Sequence, residues 1–268
     1  MSTDCSNVFR EWALSYSGMD GGNPSAPLWI CGIEFGDDLA AESDMSPVRE
    51  VPCWTAEGRA VSVRRAAEKG NPRLSYLKWP YCILAAKLAS VVLTGELDGW
   101  RRYYREDADE KGFCGRYGGV FCLNLFPITC RRITEDGWDS HLQTRTGFPS
   151  RHHYRAWCVE YRFGFLRDLA RSHRPAAIVC PSAADTRHYS LHAFAHGVPL
   201  PERPIMERQV GRKHLRTYKL ASCIENSSLW VVPFLGQGGV MSNAHVRDLG
   251  RLIRNEICHG APQRLDGV

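Results

Sequence analysis

Leu28-Trp29-Ile30-Cys31 is an apolar run that ends abruptly at Gly32-Ile33-Glu34-Phe35-Gly36, where two glycines bracket an acid. Unbroken apolar residues leave no polar face, so the run reads as a strand covered on both sides, as in a parallel sheet between helices. The glycines let the backbone turn sharply and approach a ligand closely. In sheets of this kind ligands bind beyond the carboxyl ends of the strands, which is where Glu34 falls.

Three more runs repeat the pattern: Val120-Phe121-Cys122-Leu123, Ala177-Ile178-Val179-Cys180 and Leu229-Trp230-Val231-Val232. Helical spacing lies between and after them. Pro80 suits a first helical turn, with Ile83, Leu84, Leu88, Val91 and Val92 behind it. Tyr154, Trp157, Cys158, Tyr161, Phe165 and Leu169 mark a second apolar stripe, and Val246, Leu249, Ile253 and Ile257 a third, capped by Ser242 or Asn243. Strands alternating with helices predict a three-layer α/β/α sandwich with a central, mostly parallel four-stranded sheet. The 268 residues suit one domain, 1–268, with the long stretch at about 40–119 as an elaboration on the sheet.

The chain carries a formal net charge of +5, so charge alone fits simple solubility as well as a polyanionic partner. The arginines, however, cluster with aromatics: Arg131-Arg132 and Arg151-His152-His153-Tyr154-Arg155 combine groups suited to phosphate contact and base stacking. No run nears the roughly 18 apolar residues of a membrane helix, and the polar stretch Met1 to Gly22 does not read as a signal peptide. The 11 cysteines form no CxxC pair, which points to a reducing, cytoplasmic setting. Cys114, Cys122 and Cys130 recur at even spacing, but the middle one falls in a buried strand. His188, His192 and His196 can share a helix face but have no acid between them, and the third falls near the helix end. Neither set is read as a metal site.

Four loops follow the four strands, and their residues are the candidates for chemistry. Glu34 can orient water or stabilise positive charge, or it can be a solvated acid in a turn. Asp37 and Asp38 suit a helix N-terminus and are substitutes for Glu34 in the charge role. Asn124 follows a wholly apolar strand, and its amide offers the donor and acceptor needed to read a base edge; it can also serve its own turn. Phe35 and Phe126 flank these two positions. Gly236-Gln237-Gly238-Gly239 is neither a dinucleotide fingerprint nor a Walker loop, and the chain has no G-x-S-x-G elbow.

The order of these loops resembles the uracil-DNA glycosylase superfamily. Cys31-Gly32-Ile33-Glu34-Phe35-Gly36 is similar to the motif that holds the activating acid or amide, with Phe35 in place of the usual proline. Phe121-Cys122-Leu123-Asn124 is similar to the motif of the base-reading asparagine. Ile178-Val179-Cys180-Pro181-Ser182-Ala183 matches a third motif, and Pro233 to Ser242 takes the place of the loop that enters the minor groove, without its histidine. The resemblance implies hydrolysis of an N-glycosidic bond to leave an abasic site. Glu34 (or Asp37 or Asp38) would be catalytic, with Asn124, Phe35 and Phe126 around the flipped base. Arg131, Arg132, Arg151, Arg155, Gln237, Gly238, Gly239 and Arg247 would lie on double-stranded DNA carrying a modified base. It implies no cofactor and no metal. Within the superfamily, the enlarged 40–119 region is similar to the antiviral bacterial branch that removes glucosylated hydroxymethylcytosine from phage DNA. The alternatives are a non-catalytic protein that recognises modified DNA on the same fold, and a hydrolase of free nucleosides.

Overall fold

The computed structural model describes residues 6–33, 45–51, 80–101, 112–128, 138–236 and 241–260. In chain order these give α1 (Asn7–Ala13), β1 (Gly21–Gly22), β2 (Leu28–Gly32), α2 (Pro80–Thr94), β3 (Val120–Asn124), α3 (Ser140–Thr146) and α4 (Arg151–Trp157). A π-helical turn, Cys158–Arg162, joins α4 to α5 (Phe163–His173). There follow β4 (Ala177–Ser182), α6 (Arg187–Ala195), β5 (Met206–Val210), β6 (Lys213–Ala221), β7 (Ser228–Pro233) and α7 (Asn243–Gly260).

The fold is α/β. All four expected runs are strands, and they pair in parallel in the order β3-β2-β4-β7. The expected four-stranded sheet is nonetheless too small. The sheet has seven strands and is mixed, in the order β1-β3-β2-β4-β7-β6-β5, because β1 joins one side and the β5–β6 hairpin the other, all antiparallel. These additions are short or polar: β1 and β5 are the edges of the sheet, and β6 between β7 and β5 alternates exposed and buried positions over much of its length. Only strands buried on both faces produce the continuous apolar runs on which the expectation rested.

Alternate residues of the parallel strands feed two cores. Trp29, Cys31, Phe121, Leu123, Ile178 and Cys180 face α1 and α3 to α6, whereas Leu28, Ile30, Val120, Cys122, Val179 and Trp230 face α2 and α7. The latter two helices pack closely because Gly250 sits against Val91; a Cβ there would come within 2.6 Å of the valine side chain. Ser242, and not Asn243, caps α7: its hydroxyl accepts from the amide of His245 at 3.3 Å and its carbonyl from that of Val246 at 3.0 Å.

The stripe expected from Tyr154 to Leu169 breaks at the π turn. That turn inserts one residue, so the buried positions become Arg162, Phe163 and Leu166, while Tyr161 lies 41% exposed and Phe165 only partly buried. The inserted register brings Arg162 inside. Its guanidinium donates to four carbonyls: Leu125 (2.9 Å, from Nε), Ser17 (2.8 Å), Asn124 (3.2 Å) and Ala13. Burial pulls the arginine below its usual pKa, but the ring of carbonyl dipoles around it suits a cation.

Arg162→Met should therefore destabilise the protein by about 2–5 kcal/mol. Four buried carbonyls lose their donor, and removal of the buried charge offsets only part of that loss. Urea unfolding checks this, and a midpoint equal to that of the native protein would contradict it.

Candidate active site

Parallel register sets Gly32, the last residue of β2, directly beside Asn124, the last of β3. Beyond that pair the two chains stay joined. The amide of Leu125 donates to the carbonyl of Gly32 (3.0 Å) and that of Phe126 to the carbonyl of Ile33 (2.9 Å). The chain therefore leaves for Glu34 from beside Asn124. Glu34 itself lies outside the described residues, as do Phe35, Asp37 and Asp38.

Asn124 is only 3% exposed and does not serve its own turn. Its Nδ2 donates to the carbonyl of Gly18 at 3.1 Å and to a carboxylate oxygen of Asp20 at 3.4 Å. Both acceptors belong to the segment between α1 and β1, the segment that Arg162 also grips through Ser17. The amide orientation follows from these acceptors: the nitrogen faces them, and Oδ1 is turned toward Gly32. A Cβ on residue 32 would meet that oxygen at 2.3 Å and the hydroxyl of Tyr81, at the start of α2, at 3.2 Å. Glycine at 32 is thus required by the close approach of two polar side chains.

Asp20 was not foreseen as a site residue. It is partly exposed, yet burial of its carboxyl pushes its pKa up to about 7, against the weaker lowering effect of the Asn124 hydrogen bond. Burial, and then the nearby Asp20 charge, also push the Tyr81 hydroxyl well above its usual range, so it stays a neutral O–H at physiological pH. A carboxyl poised near neutrality, a fixed amide and a neutral phenol thus gather where β2 and β3 end. The cue available in the sequence was Asp20-Gly21-Gly22, an acid before two glycines. It preceded the first recognised strand and lay outside the strand-end loops.

A ring borders this cluster. Phe234, immediately after β7, is 41% exposed, folds over Gly236 and lies 6.0 Å from Tyr81 between ring centroids. The loop beyond it, with Gln237, Gly238 and Gly239, lies outside the described residues, as do Arg131 and Arg132. The nearest histidine past that loop is His245, in the first turn of α7. It is buried, neither ring nitrogen has a hydrogen bond, and burial lowers its pKa, so it is neutral at physiological pH.

Other expected residues lie elsewhere. Phe126 is fully buried among Tyr154, Phe163 and Tyr189, and so it is a core residue that presents no face to a base. Arg151 is also wholly buried and cannot meet a backbone phosphate. Arg155 is partly buried, its guanidinium 5.7 Å from the Phe126 ring and 5.8 Å from that of Tyr189. Arg247 remains partly exposed on α7. His196 caps α6 in the left-handed region and so leaves the helical face that His188 and His192 share. Cys114 and Cys122 are buried neighbours, and Cys130 lies outside the described residues. Among the described residues no group of three or more His, Cys, Asp or Glu is arranged to hold a metal, and no helix is long and apolar enough to cross a membrane.

Comparison with protein families, with curated proteins and with solved structures finds no match for this chain.

The coupling of Asp20 to Asn124 has a measurable pH signature. The folded-state value near 7 lies above the unfolded value near 3.8, so the native state holds a proton that the unfolded chain releases between them. This contribution to stability is fully present below pH 3.8 and is lost as pH rises through 7. Asp20→Asn should flatten that decline, as read from urea midpoints at pH 5 and pH 8. Asn124→Ala should move the carboxyl titration above 7 in a carbon NMR titration, because the amide donation lowers it. A downward shift would refute the coupling. Gly32→Ala should cost about 1–3 kcal/mol, because Asn124 must leave its place.

Proposed function

We propose that the protein is a DNA glycosylase that hydrolyses the N-glycosidic bond of a flipped, modified base. The observation that carries this reading is the Asn124 amide at the ends of β2 and β3. It is held by Gly18 and Asp20, set against Gly32 and Tyr81, and lies beside the point where the chain departs for Glu34. The order and strand-end placement of the motifs that resemble the uracil-DNA glycosylase superfamily support the same reading.

In this reading the nucleotide leaves the stack, at a cost of a few kcal/mol, and its base meets Asn124. Both Nδ2 hydrogens are already committed, so the amide offers the base only its Oδ1 acceptor. That acceptor complements the N4 amino group of a cytosine-type base; uracil can offer it only N3–H, and its C4 carbonyl is then left without a donor from the committed Nδ2. A group attached at the cytosine 5-position leaves the N4 edge untouched, which keeps glucosylated hydroxymethylcytosine in phage DNA as the favoured substrate. Phe234 offers a ring against which the base can stack. As the glycosidic bond breaks, the sugar becomes cationic, and the Glu34 carboxylate stabilises it and orients the attacking water. Asp20 acts through Asn124 as a positioning residue. The reaction as written uses no cofactor and leaves an abasic site.

The test pairs two measurements on duplexes carrying uracil, cytosine, hydroxymethylcytosine or its glucosylated form: the yield of abasic sites and the dissociation constant. The native protein should act on a cytosine-type duplex and not on uracil. Glu34→Gln should slow base release by about 10²–10³-fold with little loss of binding, because side-chain size is kept and only the charge is removed. Full activity in Glu34→Gln would shift the charge role to Asp37 or Asp38. Binding without base release on every duplex would instead assign the protein to non-catalytic recognition of modified DNA.

A further inference from the structure

The two strands on the far side of β7, β6 and the edge strand β5, form a projecting arm. β6 runs antiparallel to β7 with Tyr218 opposite Val231, so its first residue, Lys213, stands five positions before that pair, whereas β7 ends at Pro233, two positions after it. The three-residue difference carries the β5–β6 hairpin about 10 Å past the end of β7, at ~3.4 Å per residue. The end it overhangs is the one that holds Gly32, Asn124 and Asp20. Two residues, Gly211 and Arg212, close the hairpin between the paired Val210 and Lys213. Gly211 sits at φ +58°, with open space around it, and Arg212 has negative φ, the pattern of a tight II′ turn that holds the arm straight.

The arm is strongly and unevenly charged. From Arg203 to Arg216 it bears Arg203, Arg208, Arg212, Lys213 and Arg216, all exposed, against the single acid Glu207. That acid is spent on one face, where it bonds Arg216 at 2.8 Å and His214 at 2.9 Å. Among the described residues no ion pair ties up Arg208 or Arg212. Leu215 lies in the apolar cluster that contains Met241 and Val246, and Met206 and Val210 pack against it, which sets the arm on the α7 side of the sheet; the Arg208 charge also contributes to lowering the pKa of His245. Strand spacing of ~4.8 Å puts β6 and β5 about 14 and 19 Å from β2 across the sheet, within the width of a DNA duplex.

We propose that the β5–β6 hairpin is a backbone-binding arm that grips the phosphates of duplex DNA flanking the nucleotide held at the Gly32–Asn124 site. The choice of DNA among polyanions rests on the glycosylase reading of that site; the projection and the charge do not. The arm reads no sequence: arginine and lysine on phosphate supply affinity and register, and the bases are left to the site. Its exposed edge strand β5 carries charge where an apolar strand would invite other chains to pair.

The test uses the full chain with Arg208→Ala, Arg212→Ala and Lys213→Ala, singly and together. Arg171→Ala, in the last turn of α5 and so at the opposite end of the sheet, is the control. Circular dichroism melts establish that all variants fold. Affinity for a 20-base-pair duplex is measured across salt concentrations, with phosphatidylserine vesicles as a second polyanionic surface. The triple variant should bind the duplex at least tenfold more weakly at low salt, and its log–log salt slope should fall by about one for each phosphate it no longer engages. Arg171→Ala should match the native protein in affinity, in salt slope and in base release. The proposal is overturned by a triple variant with native affinity and slope, by a loss confined to vesicle binding, or by a native protein that binds no duplex. The two readings fail separately. DNA binding that depends on the arm without base release removes the catalytic reading and keeps the arm, whereas base release with native binding in the triple variant does the reverse.

Discussion

A single buried guanidinium ties the structure together. Arg162 collects carbonyls from the end of α1, from the segment before β1 and from the two residues at which β3 leaves the sheet. Carbonyls at a strand end have lost their ladder partners and, once buried, need donors from elsewhere. A planar cation with five N–H groups can supply several at once, in fixed directions, which neither lysine nor an apolar residue could do. The arrangement joins two stretches more than a hundred residues apart, and those two stretches carry Asp20 and Asn124. The same contact that stabilises the fold therefore sets the geometry of the candidate site.

The site extends the logic by which the strands end. Where β2 and β3 finish in register, the sheet no longer supplies backbone partners, and side chains take over. Asn124 reaches across to Gly18 and Asp20, and Gly32 yields the space that the amide and the Tyr81 hydroxyl occupy. Burial around Asp20 holds its carboxyl near neutrality, so its charge, and with it the grip on Asn124, responds to conditions near physiological pH.

The π turn at Cys158–Arg162 shows why helical periodicity alone misplaces residues. A stripe counted at 3.6 residues per turn assigned Tyr161 and Phe165 to the core. One inserted residue moved that role to Arg162, Phe163 and Leu166, and so delivered a charged side chain to the interior. A pattern search treats arginine as a surface residue by default, and no spacing rule anticipates four carbonyls waiting for it. The same default misplaced Arg151, and the mirror-image default offered the core ring of Phe126 as a base contact.

By itself the sequence determined the parallel strands and the positions where they end. Burial on both faces demands unbroken apolar runs, and those runs stop where the chain must turn. Gly32 and Asn124 were therefore legible as strand-end residues from the apolar runs alone. Only the tertiary structure decided that they touch, because register between strands separated by almost ninety residues is set by packing on both faces of the sheet and not by either segment alone. It also decided that Asp20 joins them and that a polar hairpin overhangs the same end of the sheet. Those features depend on long-range contacts and on exposed strands, whose side chains carry no hydrophobic pattern to read.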